Sequence, residues 1–445
     1  MKQRTLGWIT VFLLFLVYGI NYLDRVALSL TAPMIQQDLG IDAAQMGIVF
    51  SSFFVGYALF NFVGGLASDR LGPKLVYVLA VGLWSLFCGL TAVTVGFASL
   101  LVVRVLFGMA EGPLCAGANK MVNNWMPHGR AATAMGLLSA GSPLGGALAG
   151  PVVGLLAVSF GWRPAFWIIC AIGLVWVVAW IALTADEPGR SRLVTGTGAQ
   201  PAGLDAADMG GAQGGARAGL AAFSPEAARL SLWDWVRQPL IIAAAFAFFS
   251  YNYVLFFFLS WFPSYLVQAH HLNLKEMSLA TVVPWLVGTV GLAAGGAISD
   301  AIFRWTGRLM LSRKLVLVVA LVGTGLCVGV AGIVHTAASA VALMSVALFL
   351  LYVTGALYWA VVQDVVHPAK VGSVSGCLHC VGSLSGVIGP AVTGLLVQRS
   401  GSFATAFLLA GGVALAGAVL SGIFIREPRE RDAVHGKLLR ENTGH

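Results

Sequence analysis

Charge is scarce in this chain. Only 10% of its 445 residues are charged, against the ~25% of an ordinary soluble domain, while 58% are hydrophobic and mean hydropathy is +0.86. A water-soluble globule is excluded. Proline is sparse at 16 residues, and with 55 glycines the balance suits helices that approach closely through small side chains rather than a collagen-like or disordered chain. The six cysteines lie in apolar runs and give no secreted disulfide framework. Cys377-x-x-Cys380, with His379 between, lacks a second ligand pair and reads as small packing residues, so no metal and no cofactor are expected. No GxxxxGK[ST] phosphate loop is present, which argues against an ATP-driven pump. Nor do the intramembrane residues contain a nucleophile-base pair, so an enzyme is not expected. The net charge of +8 does not imply nucleic acid, because the basic residues fall in short loops.

What the chain does have is length in apolar runs. A span needs about 20 residues, since 1.5 Å of rise per residue must cross ~30 Å of hydrocarbon. Twelve runs qualify, near 7–30, 44–67, 75–96, 98–119, 132–159, 164–185, 239–268, 277–302, 315–333, 338–363, 371–397 and 402–425. Lys2 and Arg4 precede a first run long enough to span, so that run is expected to stay in the mature protein as a helix, not a cleaved signal. With a cytoplasmic amino terminus, the loop and tail lysines and arginines fall inside except Arg163, Lys275 and Arg399, which places both termini in the cytoplasm and the chain in the inner membrane. Residues 186–236 mix Gly, Ala, Ser and Pro with charges and read as a cytoplasmic linker. The expected organisation is a six-helix bundle over 1–185, the linker 186–236, a second bundle over 237–425 and a tail, 426–445. Matching pairs support a duplication: Pro33 with Pro263, Gly65…Asp69 with Gly296…Asp300, Gly150-Pro151 with Gly389-Pro390, and Glu187-Pro188 with Glu427-Pro428. Two such bundles enclose a midplane site and rock around it.

Four charges lie inside the runs: Asp24 and Arg25 in the first, Arg104 and Glu111 in the fourth. Each costs ~2.5–3.5 kcal/mol near the bilayer centre even on the gentler insertion scale, so such residues face a cavity or a partner. Arg104 and Glu111 are two turns apart on one stripe, and the neighbours Asp24 and Arg25 point about 100° apart. Two structural ion pairs between the first and fourth helices are the plain alternative. Against it, no acidic residue lies deep in a span of the second half, so a proton-carrying carboxylate has to be Asp24 or Glu111. An arginine that meets a substrate anion changes the environment of a nearby carboxylate, which couples occupancy to protonation. Asn21, Tyr22 and Tyr57 in the first half, and Asn252, Tyr253, Tyr358, Trp359 and His379 in the second, suit a small organic anion.

The loop after the second run reads Gly65-Leu-Ala-Ser-Asp69-Arg70-Leu-Gly72-Pro-Lys74. It resembles the GxxxDRxGxK signature of the major facilitator superfamily, with an all-α fold of twelve membrane helices in two pseudo-symmetric halves. Its residues Gly65, Asp69, Arg70, Gly72 and Lys74 then imply gating at the cytoplasmic face, and the second copy keeps only Gly296, Asp300 and a displaced Arg304. Asn21-Tyr22-Leu-Asp24-Arg25, Arg104-Val-Leu-Phe-Gly108-Met-Ala-Glu111-Gly-Pro113 and Leu259-Ser-Trp261-Phe262-Pro263-Ser-Tyr265-Leu look like the anion:cation symporter branch, which includes hexonate and hexuronate carriers. The resemblance implies that Asp24 and Glu111 carry protons, Arg25 contacts the substrate carboxylate, Arg104 orients the acidic pair, and Tyr22, Tyr57 and Trp359 line the site. Carriers resembling D-galactonate transporters place glutamine at Ser142, asparagine at His379 and a hydroxyl at Ala356. Those departures remove partners for a polyol chain while leaving Ser142 and His379 as expected substrate contacts. The expected partners are a small organic anion such as a sugar acid, protons and the lipid bilayer, without nucleic acid and as a monomer. An exchanger or uniporter and a non-transporting membrane sensor are the alternatives.

Overall fold

The computed structural model describes residues 3–126, 128–186 and 231–426. Most of the expected linker and tail therefore lie outside the described residues. Among the described residues the chain is helical: α1 (Gln3–Leu39), α2 (Ala43–Leu71), α3 (Pro73–Leu90), α4 (Phe97–Glu111), α5 (Leu114–Trp125), α6 (His128–Ser139), α7 (Gly141–Phe160) and α8 (Trp162–Leu183) form the first half. A short α9 (Leu232–Val236) leads into α10 (Pro239–His270), α11 (Leu274–Ala280), α12 (Val282–Thr306), α13 (Leu309–Ala331), α14 (Ala337–Val353), α15 (Leu357–Val365), α16 (Pro368–Ser400) and α17 (Ala404–Phe424). The α9 turn falls where an unstructured linker is expected. Ser231 and Asp234 form a capping box there, and Trp235 is buried, with α9 packed on α10 and α16.

Among the described residues eleven stretches are long and apolar enough to cross a membrane. The twelfth, expected over 98–119, does not qualify, because Gly112-Pro113 ends α4 at Glu111 after only 15 residues and α5 starts afresh at Leu114. Proline at a helix interior removes a hydrogen-bond donor and clashes with the preceding turn. The second half has a matching interruption: α14 ends at Val353 and α15 begins at Leu357. Of the six prolines of the repeat, Pro33, Pro151, Pro263 and Pro390 all lie inside long helices, and Pro188 and Pro428 lie outside the described residues.

Within the first half α2 packs on α4, α1 on α7, and α3 on α8; within the second, α12 packs on α14, α13 on α17, and α10 on α16 and α17. Between the halves α2 meets α16 and α7 meets α11 and α12. These seams gather at the end where α1 stops and α2 starts, called the Leu39 end below. Gly47 sits against the Pro390 carbonyl and Gly394, where a Cβ would come within 2.6 Å of the carbonyl oxygen. The Ala391 N–H donates to Ser51 Oγ at 3.0 Å, and the Ala43 N–H to Gln398 Oε1 at 3.3 Å. Trp261 Nε1 donates to the Pro390 carbonyl at 3.1 Å, so α10 as well as α2 is tied to α16 around this proline. On the second seam Gly150 and Gly154 make a notch that receives Ser278.

At the opposite, Lys74 end, Gly72 takes φ +84°, a conformation that favours glycine, and turns the chain from α2 into α3. Arg163, Lys275 and Arg399 are at or beside the Leu39 end of their helices, while Lys74, Arg308, Arg313 and Lys370 are at the other.

Candidate functional site

The site is built where α1, α2 and α4 meet below the sealed Leu39 end. Small residues let the backbones approach: a Cβ on Gly108 would collide with the Phe53 carbonyl, and one on Gly56 with the Val105 carbonyl. That close approach of α2 to α4 brings Glu111 to Arg25 of α1. Arg25 donates from Nε and from Nη2 to Glu111 Oε2, both at 2.7 Å. Glu111 is fully buried, whereas the Arg25 side chain keeps 10% exposure. The pair therefore stands at a cavity wall rather than inside packed protein.

Rings surround the guanidinium. Its Cζ lies 4.8 Å from the ring centroids of both Phe53 and Tyr57 and 5.7 Å from that of Tyr22. Cation-π attraction contributes from about 0.5 kcal/mol at exposed sites to about 2 when desolvated, so the rings hold Arg25 in place whether or not Glu111 keeps it. Tyr57 Oη approaches Cys115 Sγ at 3.9 Å, and Tyr22 meets Trp285 of α12 edge-on at 5.8 Å.

Arg104 is not the arginine that pairs with Glu111. Glu111 is paired with Arg25, while Arg104, also nearly fully buried, makes no ion pair among the described residues and leaves Nε and Nη2 without hydrogen-bond partners. Its Cζ stands 4.9 Å over Phe107. Arg104 and Arg25 line one cavity with Phe50, Phe53, Phe54 and Ser260. Asp24 is buried within electrostatic reach of Glu111, Arg104 and Arg25, beside Trp84, and leaves Oδ1 unpartnered. Unmade hydrogen bonds on buried groups cost about 1–3 kcal/mol each. They concentrate here: Asn21 Nδ2, Asp24 Oδ1, Arg104 Nε and Nη2, and Glu111 Oε1; in the second half His379 Nε2 and Tyr352 Oη are also unpartnered. A ligand or water can satisfy them.

The second half contributes an aromatic wall. Phe248 of α10 lies 5.1 Å from Trp359 and 5.2 Å from Tyr358, both on α15, and 6.3 Å from His379 of α16. His379 is within electrostatic reach of Arg25. Ser142 starts α7 one turn before Gly146, the position packed against Trp285. Tyr253 is turned elsewhere, against Gly389 and Phe249, and the Asn252 amide donates to the Phe248 carbonyl of its own helix.

At the Lys74 end, Lys74 Nζ donates to the Ile181 and Thr184 carbonyls that end α8, while its backbone N–H donates to Asp186 Oδ1 at 2.8 Å. Asp186 thus caps α3, a residue the sequence reading did not single out. Arg70 is exposed; the side chain of Asp69, and the surroundings of Gly65, lie outside the described residues. In the second copy Asp300 faces Arg313 at 3.7 Å rather than Arg304, and Asp364 shares that arginine at 3.4 Å.

Sequence reasoning also missed Phe53, Phe248, Trp285 and Thr354. Aromatic residues in an apolar run carry no mark that separates packing from a binding wall. Phe53 alone had a signal, standing one helical turn before Tyr57 on the same face of α2.

The model of the Major Facilitator Superfamily matches residues 14–376 and 305–441. A hexuronate transporter of Bacillus subtilis is 47% identical over 94% of this chain and 94% of its own length. A probable sulfoacetate transporter of Cupriavidus necator is 33% identical over 92% of this chain and 91% of its own. Among solved structures, a bacterial homologue of the human lysosomal transporter Spinster superposes with a TM-score of 0.72 over 94% of this chain and 95% of that one, at 18% identity, a likeness of fold.

Proposed function

The chain belongs to the Major Facilitator Superfamily, and on that premise we propose that it is a proton-coupled carrier of a sugar acid, of the hexuronate or hexonate kind, in the inner membrane. It is a transporter fold and not an enzyme. The observation that carries the reading is the Arg25–Glu111 pair set in the ring of Tyr22, Phe53 and Tyr57. A carboxylate ligand and Glu111 compete for the same guanidinium. When the ligand takes Arg25, Glu111 is left buried without its partner, and an uncompensated buried charge costs about 3–5 kcal/mol. Taking up a proton removes that cost, so anion and proton travel together. Asp24, buried and outside any ion pair, is the second proton-carrying group, and Arg104 offers the unpaired nitrogens that complete anion binding. Tyr22, Tyr57, Trp359, His379 and Ser142 line the site.

The relatives support the acid end of this assignment. Hexuronate and sulfoacetate share a carboxylate but not a polyol chain, and a cationic site fits what they share. In this reading the halves, 1–185 and 237–425, rock about the site, joined by 186–236, with the tail 426–445 and both termini in the cytoplasm. The Leu39 end is the outer one and is shut, so the site opens inward; Gly65, Asp69, Arg70, Gly72 and Lys74 gate the inner face.

Vesicles reconstituted with the protein test the coupling. Glu111→Gln is expected to abolish proton-driven accumulation of hexuronate while sparing exchange of labelled for unlabelled substrate. Accumulation at the unaltered level, or accumulation by the parent protein that survives collapse of the pH gradient, overturns proton symport in favour of exchange or uniport.

A further inference from the structure

The second-half wall has few hydrogen-bonding groups to give. Tyr358 Oη is engaged with Thr354 Oγ1 at 3.0 Å, and Thr354 Oγ1 also reaches the Leu351 carbonyl at 2.6 Å. The Asn252 amide is engaged with the Phe248 carbonyl, and Ser383 Oγ with the His379 carbonyl. Ala356, at the helix break, carries no hydroxyl. His379 Nε2 is the unengaged polar atom of this wall nearest Trp359, whose ring lies 6.3 Å from the imidazole.

Apolar ring surface, by contrast, is plentiful. Trp359 is half-buried, and Phe248 meets it at 65°, so the two rings do not stack face to face. Phe248 in turn stacks on Tyr251 at 5.9 Å. Such a wall suits a flat, partly apolar object with its polar groups on the rim.

Resting on the sugar-acid reading, we propose that this site selects the closed, pyranose form of a uronate over an open-chain aldonate. Both carry the carboxylate that Arg25 would hold. They differ in the rest of the molecule. A pyranose gathers its C–H bonds onto a face that can lie on Trp359, leaves most hydroxyls at the rim toward water, and needs one direct partner, for which His379 Nε2 is available. An extended hexonate strings its hydroxyls along the wall, where each loses water and where Tyr358, the Asn252 amide and Ser383 are already engaged, leaving Tyr352 Oη and His379 Nε2 as the unpartnered groups.

The test is competition against labelled galacturonate exchange in vesicles holding the full chain. Two unlabelled probes are used: a 1,5-anhydrohexuronate, which cannot open and bears nothing at C1, and galactonate, which cannot close to a pyranose. The locked ring is expected to compete within about threefold of galacturonate, and galactonate at least about tenfold more weakly, corresponding to about 1.4 kcal/mol. Galactonate competing as well as the locked ring overturns the proposal and leaves sugar-acid transport standing. Exchange of no sugar acid at all overturns the reading beneath it.

Trp359→Leu should bring the ratio of the two probes to about one, and Trp359→Phe should keep most of it. A ratio taken within one variant is independent of how much protein folds. An unchanged ratio in Trp359→Leu removes the indole from the proposal and overturns it.

Discussion

The two broken helices invite comparison. In the first half α4 stops at Glu111 and α5 resumes after Gly112-Pro113; in the second, α14 stops at Val353 and α15 resumes after Thr354-Gly355-Ala356. Each break lies in the fourth span of its half. The first is loaded with charge: Glu111 at its lip, Arg104 two turns earlier, Arg25 opposite. The second has no charged residue at the break, only Thr354 bonded to Tyr358, with Trp359 beside them. Duplication thus supplied one backbone device twice, and the side chains divided the work. In the proposed reading the first break handles charge and the second reads shape.

The sharpest way to break this division is Arg25→Ala. It strands Glu111 as a buried charge, a loss of about 3–5 kcal/mol, so hexuronate uptake should fall by more than about a hundredfold. Arg25→Lys keeps the charge but cannot reproduce two N–H bonds converging on Oε2 or lie flat among three rings, so it should recover only part of the activity. Both are measured as initial uptake rates in cells normalised to protein in the membrane. If Trp359→Leu proved as damaging to uptake as Arg25→Ala, the halves would not be divided as described.

A second pair of substitutions separates packing inside a half from packing between halves. Gly108→Val drives branched carbons into the Phe53 carbonyl on the α2–α4 seam, which has to hold in every state of the carrier. Overpacking of this kind costs about 1–3 kcal/mol, so thermal stability in detergent should drop. Gly150→Ala meets the Ser278 carbonyl on the seam that shuts the Leu39 end. That seam has to part during transport, so the expected effect is not lower stability but greater access: a cysteine placed at Ser278 on this background should react faster with a membrane-impermeant thiol reagent added outside. Equal losses of stability from both would erase the distinction between a fixed and a moving seam.

Much of this was readable in the residues, and for identifiable reasons. Charge in an apolar run is costly enough to stand out, so Asp24, Arg25, Arg104 and Glu111 could be singled out, and positional matches such as Pro33 with Pro263 exposed the repeat. Which arginine meets which acid could not be read. The i to i+7 stripe linking Arg104 and Glu111 belongs to one helix, whereas the actual partner of Glu111 comes from α1 and depends on glycines that let three helices close up. The break in the fourth run was also hidden, since Gly112-Pro113 reads as tolerable inside a span until the helix is seen to end there. The aromatic wall was named only in part, because Phe248 and Trp285 differ from ordinary packing residues solely in what they face.

The smallest effect is the most telling about the second break. Tyr358 is fully buried, and its hydroxyl has Thr354 Oγ1 as partner at 3.0 Å. Tyr358→Phe removes that oxygen while keeping the ring against Phe248 and Tyr251. Thr354 keeps its bond to the Leu351 carbonyl, so no donor is orphaned and the loss should be about 1 kcal/mol of stability. Because no charge is touched, the dependence of hexuronate uptake on external pH should be superimposable on that of the parent, and KM should move by less than about threefold. A shifted pH profile in Tyr358→Phe would mean that the phenol takes part in proton movement. The second break would then share the work of the first, and the division of labour between the halves would have to be abandoned.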